Sequence, residues 1–261
     1  MAHCILQAPW EYYCVPFSIA DHVYYVGNTW VGSFLLDSGD GLILIDCGMP
    51  STVYQIFENI RILGFDPHHI KRILLTHAHY DHVGGAEIIR RYTGAKLYLG
   101  QEDIPFIGRP ELLLADLIHC PDFQVDEIYN DDAPICTGRF EIFTLHTPGH
   151  TPGARSVFFR DTVNGNNVLC GMHGGIGFGT LTKEFLQKNG LPLSLQKEFY
   201  KSLDNLKKIP VTLAIGSHPG HLDMLGNLAS AKQGQNPFIN PDTWSDFMED
   251  RMQAFALQIL T

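Results

Sequence analysis

The chain has 261 residues, of which 45% are hydrophobic, so it is long enough and apolar enough to bury a full core. Its 18 Lys and Arg against 28 Asp and Glu give a formal net charge of −10, which disfavours nucleic acid and anionic membrane surfaces as partners. No apolar run approaches the ~18–20 residues that a membrane span needs, and the first residues lack the pattern of a signal peptide. We therefore expect a globular protein that is cytoplasmic if the chain is complete, and periplasmic or secreted if a leader has been removed. The composition says nothing of oligomeric state.

Strand and helix patterns alternate along the first half of the chain. Residues 17–48 predict a series of hairpins that ends in a buried apolar strand at residues 41–46. The elements predicted after it are a helix from Pro50 to Gly64, a strand at 72–76, a helix at 84–92 and a strand at 95–99.

The second half repeats this organisation after an irregular segment. Residues 101–134 are rich in Pro and Asp and have weak helical periodicity, so we expect a surface lid or crossover there. The elements predicted after it are strands at 140–145, 156–159, 167–170 and 211–215 and helices at roughly 194–207 and 242–260. Two β-rich halves, roughly 1–134 and 135–261, predict an α/β protein in which one domain forms a four-layer α/β/β/α sandwich.

Histidines are the most informative residues, since the chain has 13 of them. The six cysteines include no Cys-x-x-Cys pair, and we expect them to be free thiols. The densest group of histidines is His77-Ala-His79-Tyr-Asp81-His82, directly after a predicted strand and before Gly84-Gly85. Imidazoles crowded this closely repel one another on protonation unless a metal holds them neutral. This loop therefore predicts a metal site.

Two further histidines lie where predicted strands meet turns rich in Gly and Pro. His150 is in Thr147-Pro-Gly-His-Thr-Pro-Gly153, and His218 is in Gly216-Ser-His-Pro-Gly220. We expect both to be ligands. His221 follows in the same turn as His218, and we expect only the histidine at the strand end to point into the site. Cys170 and His173 are expected to be a core thiol and a pocket-lining imidazole.

These motifs together resemble the metallo-β-lactamase superfamily over nearly the whole chain. The resemblance rests on the loop from His77 to His82, the turn around His150, the strand end Leu44-Ile-Asp-Cys-Gly48, and Ser217-His-Pro-Gly220. Tyr24-Tyr-Val-Gly27, Ser33-Phe-Leu-Leu36 and Asn236-Pro-Phe-Ile-Asn240 make the chain most similar to the third subclass of metallo-β-lactamases.

The resemblance implies two zinc ions per chain. It assigns one ion to His77, His79 and His150 and the other to Asp81, His82 and His218. It also implies that Asp46 supports the metal loop from behind its ligands, whereas the residues alone leave a turn-capping aspartate as the alternative. Many hydrolases of the superfamily bridge their metals with an aspartate on the strand before the last histidine. Here that strand ends in Cys170-Gly-Met-His173, which favours the lactamase subclass.

The first functional hypothesis is a zinc-dependent hydrolase that acts on a small molecule, opening the cyclic amide of β-lactam antibiotics through a metal-bound hydroxide. Asp81 is the expected catalytic residue, because its carboxylate would orient that hydroxide. We expect the substrate to contact Met172, His173, Trp30 and Phe178. The subclass binds the substrate carboxylate with serines on the loop that here reads Met172-His-Gly-Gly175, which has no hydroxyl, so we expect weak substrate binding.

Two alternatives stay open. The same metals could serve a lactone, a thioester or a phosphodiester, because fold and metal ligands do not determine the substrate. A non-catalytic iron-binding or redox module is the second alternative. The open, histidine-rich first site beside the loop at residues 171–179 argues against it, because this arrangement indicates a substrate cleft.

Overall fold

Two β-sheets lie face to face in the computed structural model, which describes residues 4–259. The strands of the seven-stranded sheet, in spatial order, are β1 Phe17–Ala20, β2 Val23–Tyr25, β3 Phe34–Asp37, β4 Leu42–Ile45, β5 Ile70–Leu74, β6 Lys96–Leu99 and β7 Glu127–Ile128. The five-stranded sheet has the spatial order β12-β11-β10-β9-β8, with β8 Ile135–Thr137, β9 Phe140–His146, β10 Arg155–Val163, β11 Asn166–Met172 and β12 Leu213–Ile215.

Helices cover the outer face of each sheet. They are α1 Val53–Ile62, α2 Tyr80–Val83, α3 Ala86–Thr93, α4 Pro110–Leu113, α5 Lys183–Lys188, α6 Leu195–Lys207, α7 Met224–Ala229 and α8 Pro241–Ile259. One apolar core joins the seven-stranded sheet to α1 and α3, a second fills the space between the sheets, and a third joins the five-stranded sheet to α6 and α8. The predicted α/β/β/α sandwich is therefore confirmed.

Parallel pairing brings the site-bearing loops together. β4 and β5 are parallel neighbours, so the residues that follow them, Asp46 and Thr76, leave the sheet at the same edge. β11 and β12 are also parallel neighbours, which places His173 and the turn with His218 at one edge of the other sheet. Histidines that are far apart in sequence can therefore meet.

Of the two expected alternatives for residues 101–134, a surface lid or a crossover, the structure shows the crossover, because the segment connects β6 to its parallel neighbour β7. Phe106 and Leu112 are buried in the core beneath α1 and α3, and β7 adds a strand to the seven-stranded sheet. Its apolar residues are scattered without a period, which is why the sequence pattern did not reveal their burial. β8, α5 and α7 were also not predicted. The last predicted helix begins at Pro241, and residue 260 lies outside the described residues.

Two smaller expectations can be compared with the structure. All six cysteines are free thiols, as predicted. Between residues 4 and 259, no helix combines the length and the apolar character that crossing a membrane requires.

Candidate metal centre

Three histidines from two loops form the first ligand set. His77 and His79 come from the loop after β5, and His150 comes from the turn between β9 and β10. Their ligand atoms all lie within 4.8 Å of one another. His150 Nε2 is 2.9 Å from His79 Nδ1 and 3.2 Å from His77 Nε2. The structure thus brings together the three histidines expected at the first site.

The second ligand set consists of Asp81, His82 and His218, whose ligand atoms also lie within 4.8 Å of one another. Asp81 and His82 belong to the short helix α2, and His218 follows β12. Asp81 Oδ2 is 3.3 Å from His218 Nε2 and 3.6 Å from His82 Nε2. His221 belongs to neither set.

The ring nitrogens that face away from the two ligand sets show whether these histidines are oriented to bind a metal ion. In four of the histidines, Nδ1–H donates to an oxygen behind the site, so that Nε2 is left with its lone pair facing the ligand set. The acceptors are Thr76 Oγ1 for His77, Asp46 Oδ2 for His82, the Gly177 carbonyl for His150 and the Trp30 carbonyl for His218. Two groups of three nitrogen or carboxylate donors, oriented in this way, are the donor chemistry of zinc sites. The residues therefore fit two zinc-class ions.

The protonation states also suit metal binding. Burial, reinforced by the neighbouring imidazoles, holds the pKa values of His77 and His79 well below the ordinary value, and burial lowers the pKa of His150 to about 4. Burial opposes ionisation of Asp81, but the His82 and His218 imidazoles outweigh it and hold the pKa of this carboxyl well below its ordinary value. Near neutral pH the first set is therefore neutral and the second set carries a carboxylate.

Asp46 lies directly behind both ligand sets. It is fully buried and adopts a left-handed backbone conformation, with a φ of 59°, at the sharp turn that follows β4. Its Oδ2 accepts from His82 Nδ1 at 2.7 Å and from Thr76 Oγ1 at 2.8 Å. Because Thr76 Oγ1 in turn accepts from His77 Nδ1, the carboxylate is connected to one histidine of each set. Its hydrogen bonds therefore lie where support of the metal loop would act, and that role stays a prediction.

Asp103 is a second buried carboxylate that the sequence analysis missed. Its Oδ2 accepts from the Ala78 amide at 2.8 Å and from Thr151 Oγ1 at 2.7 Å, and its Oδ1 accepts from the Gly153 amide at 2.6 Å. Burial raises the pKa of this carboxyl to about 6. Asp103 therefore fastens the loop of His77 and His79 to the loop of His150. A single Asp in an irregular segment carries no pattern that could have revealed this role.

The expected substrate contacts have different outcomes. Trp30 borders the second ligand set, with its ring centroid 5.3 Å from that of His218 and 6.1 Å from that of Tyr80. Phe178 is half-buried and packs against Phe199 and Phe255, under α6 and α8.

Met172 and His173 are corrections, because both side chains are 0% exposed. Met172 points into the core between the sheets, since alternate residues of β11 face opposite sides and its side faces that core. A serine in place of Gly174 would clash, because a Cβ there would lie 2.4 Å from the Arg155 carbonyl oxygen. Close packing therefore accounts for the absent hydroxyl at this position.

Comparison with known proteins gives a consistent result. The family model of the metallo-β-lactamase superfamily matches residues 31–163. The "Probable metallo-hydrolase YqgX" of Bacillus subtilis is 29% identical over 82% of this chain and 95% of that protein. An "N-acyl homoserine lactonase" of Bacillus thuringiensis is 25% identical over 54% of this chain and 63% of its own length.

Solved structures are similar over nearly the whole chain. BJP-1, a subclass B3 metallo-β-lactamase of Bradyrhizobium japonicum, superposes with a TM-score of 0.86 at 27% identity, over 98% of this chain and 97% of the other. The FEZ-1 metallo-β-lactamase of Legionella gormanii superposes with a TM-score of 0.87 at 28% identity, over 95% and 96% of the two chains.

Proposed function

Because the chain belongs to the metallo-β-lactamase superfamily of hydrolases, we propose that it is a dinuclear zinc enzyme that opens the cyclic amide of β-lactams. The six metal ligands in this proposal are His77, His79 and His150 for one ion and Asp81, His82 and His218 for the other.

The composition of the ligand sets carries the proposal. Among residues 4–259, Asp81 is the only carboxylate that belongs to either set, and β11 ends in the buried Met172 where many hydrolases of the superfamily place a bridging aspartate. The likeness to two β-lactamases over at least 95% of the chain supports the same substrate class.

Each part of the centre has a chemical task. Zinc, when bound, lowers the pKa of a water molecule and polarises the carbonyl group under attack. The three neutral imidazoles of the first set would hold one zinc ion, and three protein ligands are the number that catalytic zinc sites use when water or substrate is to bind as well. The ionised Asp81 carboxylate accepts a hydrogen bond from the attacking water and so orients it. Trp30 and Tyr80 form an apolar wall beside His218 that keeps bulk water from one side of the site.

A lactonase is the second candidate, favoured by the 25% identity to an N-acyl homoserine lactonase. That likeness covers 54% of the chain, whereas the likeness to the two β-lactamases covers nearly all of it. An ester carbonyl would meet the same ligands, so the substrate must be tested directly.

The test is a substrate panel with the zinc-loaded protein. We expect ring opening of penicillins and carbapenems with high KM values, because one missing charge-assisted hydrogen bond to the substrate carboxylate costs about 1.5–3 kcal/mol, or ten- to a hundredfold in affinity. An N-acyl homoserine lactone, a thioester and a phosphodiester are assayed beside them. His68→Gln, which changes an exposed histidine that contacts Asp66 and Tyr92 and belongs to neither ligand set, is the matched control. Lactone turnover without any lactam turnover would contradict the proposal.

A further inference from the structure

A row of three imidazoles leads from the second ligand set towards the interior. His221 lies in the same turn as His218, and the centroids of their rings are 4.9 Å apart. The ring of His173, which directly follows β11, is 5.3 Å further on from that of His221. The plane of the Phe247 ring, in α8, is tilted by 33° relative to the plane of the His173 ring and by the same angle relative to that of His221. The last two histidines of the row belong to neither ligand set.

The nitrogens at the end of this row have no partner among the described residues. His173 is 0% exposed, and neither of its ring nitrogens makes a hydrogen bond within residues 4–259. His221 Nδ1 is buried and equally unpaired within the same part of the chain. An unpaired buried polar group costs about 1–3 kcal/mol, and folded proteins rarely leave one without a partner. Unpaired nitrogens on two neighbouring rings therefore point to a ligand between them.

The chemistry of the pair selects a metal ion as that ligand. Within residues 4–259 both ring nitrogens of His173 and the Nδ1 of His221 make no hydrogen bond, so each ring can offer a lone pair to an ion. The spacing of their rings, 5.3 Å, equals that of His82 and His218, which share a ligand set. Imidazole is a preferred ligand of zinc, copper and nickel.

We propose that His173 and His221 form a third metal-binding site, for a zinc-class divalent cation with two imidazole ligands and water in its remaining positions. Arg251, whose guanidinium carbon is 5.7 Å from the Phe247 ring centroid, brings a positive charge near this site. Two ligands instead of three, together with that charge, make the third site at least about tenfold weaker than the other two. It fills last, when metal is in excess.

Metal stoichiometry tests this proposal without any substrate. The protein is stripped with a chelator, its exposed thiols are alkylated, and it is dialysed against rising zinc concentrations before elemental analysis. We expect the unaltered chain to reach three ions, with the third bound more weakly, and His221→Gln to stop at two. His68→Gln, with an exposed histidine replaced, is expected to keep all three.

Cobalt(II) titration shows whether the variant has kept its other sites. The absorption bands of the first two equivalents should be the same in His221→Gln as in the unaltered chain, and the bands of the third should be lost. Because His173 is fully buried, the half-buried His221 is the safer position to change. The proposal is overturned if the unaltered chain binds only two ions, which is the result expected if water alone lies between His173 and His221. A third ion that persists in His221→Gln overturns it as well.

Discussion

The two ligand sets share one loop, and the two buried carboxylates beside them act in different ways. In the second set, Asp46 contacts a ligand directly, because His82 Nδ1 donates to it at 2.7 Å. In the first set, Asp103 contacts no ligand and instead joins Ala78 to Thr151 and Gly153, the neighbours of the ligands. One carboxylate orients a ring, whereas the other fixes the distance between two loops. The comparison therefore indicates that orienting a ligand ring and holding two loops together are separate tasks, carried here by separate residues.

The largest effect is expected from removing a ligand of the first set. His150→Ala leaves two imidazoles in the first set, so we expect this set to lose its zinc ion. Hydrolysis should fall by more than about a hundredfold, which is a larger loss than replacing a supporting residue causes. The fold should be largely intact, because a chain of 261 residues has a core that does not depend on metal. Metal content, turnover and circular dichroism are measured together. Near-full turnover would show that the first set has been assigned wrongly.

The two carboxylates can be separated by their effect on each metal equivalent. Asp103→Ala should weaken only the first set, by about ten- to a hundredfold in metal affinity. Asp46→Ala should weaken both sets, because Asp46 reaches His82 directly and His77 through Thr76. Competition with a chromophoric chelator measures each equivalent. If Asp103→Ala lowered the affinity for both metal ions equally, Asp103 and Asp46 would not differ in the way described.

Acid should destabilise the metal-free protein through the first set. A histidine whose folded pKa is lowered binds fewer protons folded than unfolded, so stability falls as the pH drops from the unfolded value of 6.5 towards the folded value of about 4 for His150. In the second set, the Asp81 and Asp46 carboxylates outweigh burial and raise the pKa of His82, which acts in the opposite direction.

Urea unfolding between pH 7.5 and 4.5 measures this dependence. His150→Gln should show a smaller loss of stability over this interval than the unaltered chain. An identical pH dependence in the two proteins would contradict the neutral state of His150.

The smallest effect is expected from removing one of the hydrogen bonds through which Asp103 joins the two loops. Thr151→Val removes a donor to Asp103 but keeps the shape of the side chain, so we expect about 1–3 kcal/mol less free energy of unfolding. Thr93→Val, in a helix end away from the site, is the matched control. A change no larger than that of the control would show that two backbone donors are sufficient for Asp103.

Local patterns in the sequence determined most of the fold and both ligand sets. A short run of apolar residues predicted β4, and the spacing of apolar residues at 53–60 predicted α1, because both patterns follow from local backbone geometry. The dense His77–His82 loop was visible for the same reason, since its four metal-binding groups are neighbours in sequence. The turns rich in Gly and Pro predicted His150 and His218 as further ligands, and the resemblance to a known family then divided the six ligands between two ions.

Only the tertiary structure decided what lies around those ligands. The role of Asp103 depends on backbone amides of two distant loops, which no side-chain pattern encodes. The burial of Met172 depends on which face of β11 meets the other sheet, and one residue of register would have reversed it. The unpaired nitrogens of His173 and His221 became visible only when the turn after β12 was placed beside the end of β11, because hydrogen-bond satisfaction is a property of neighbours in space.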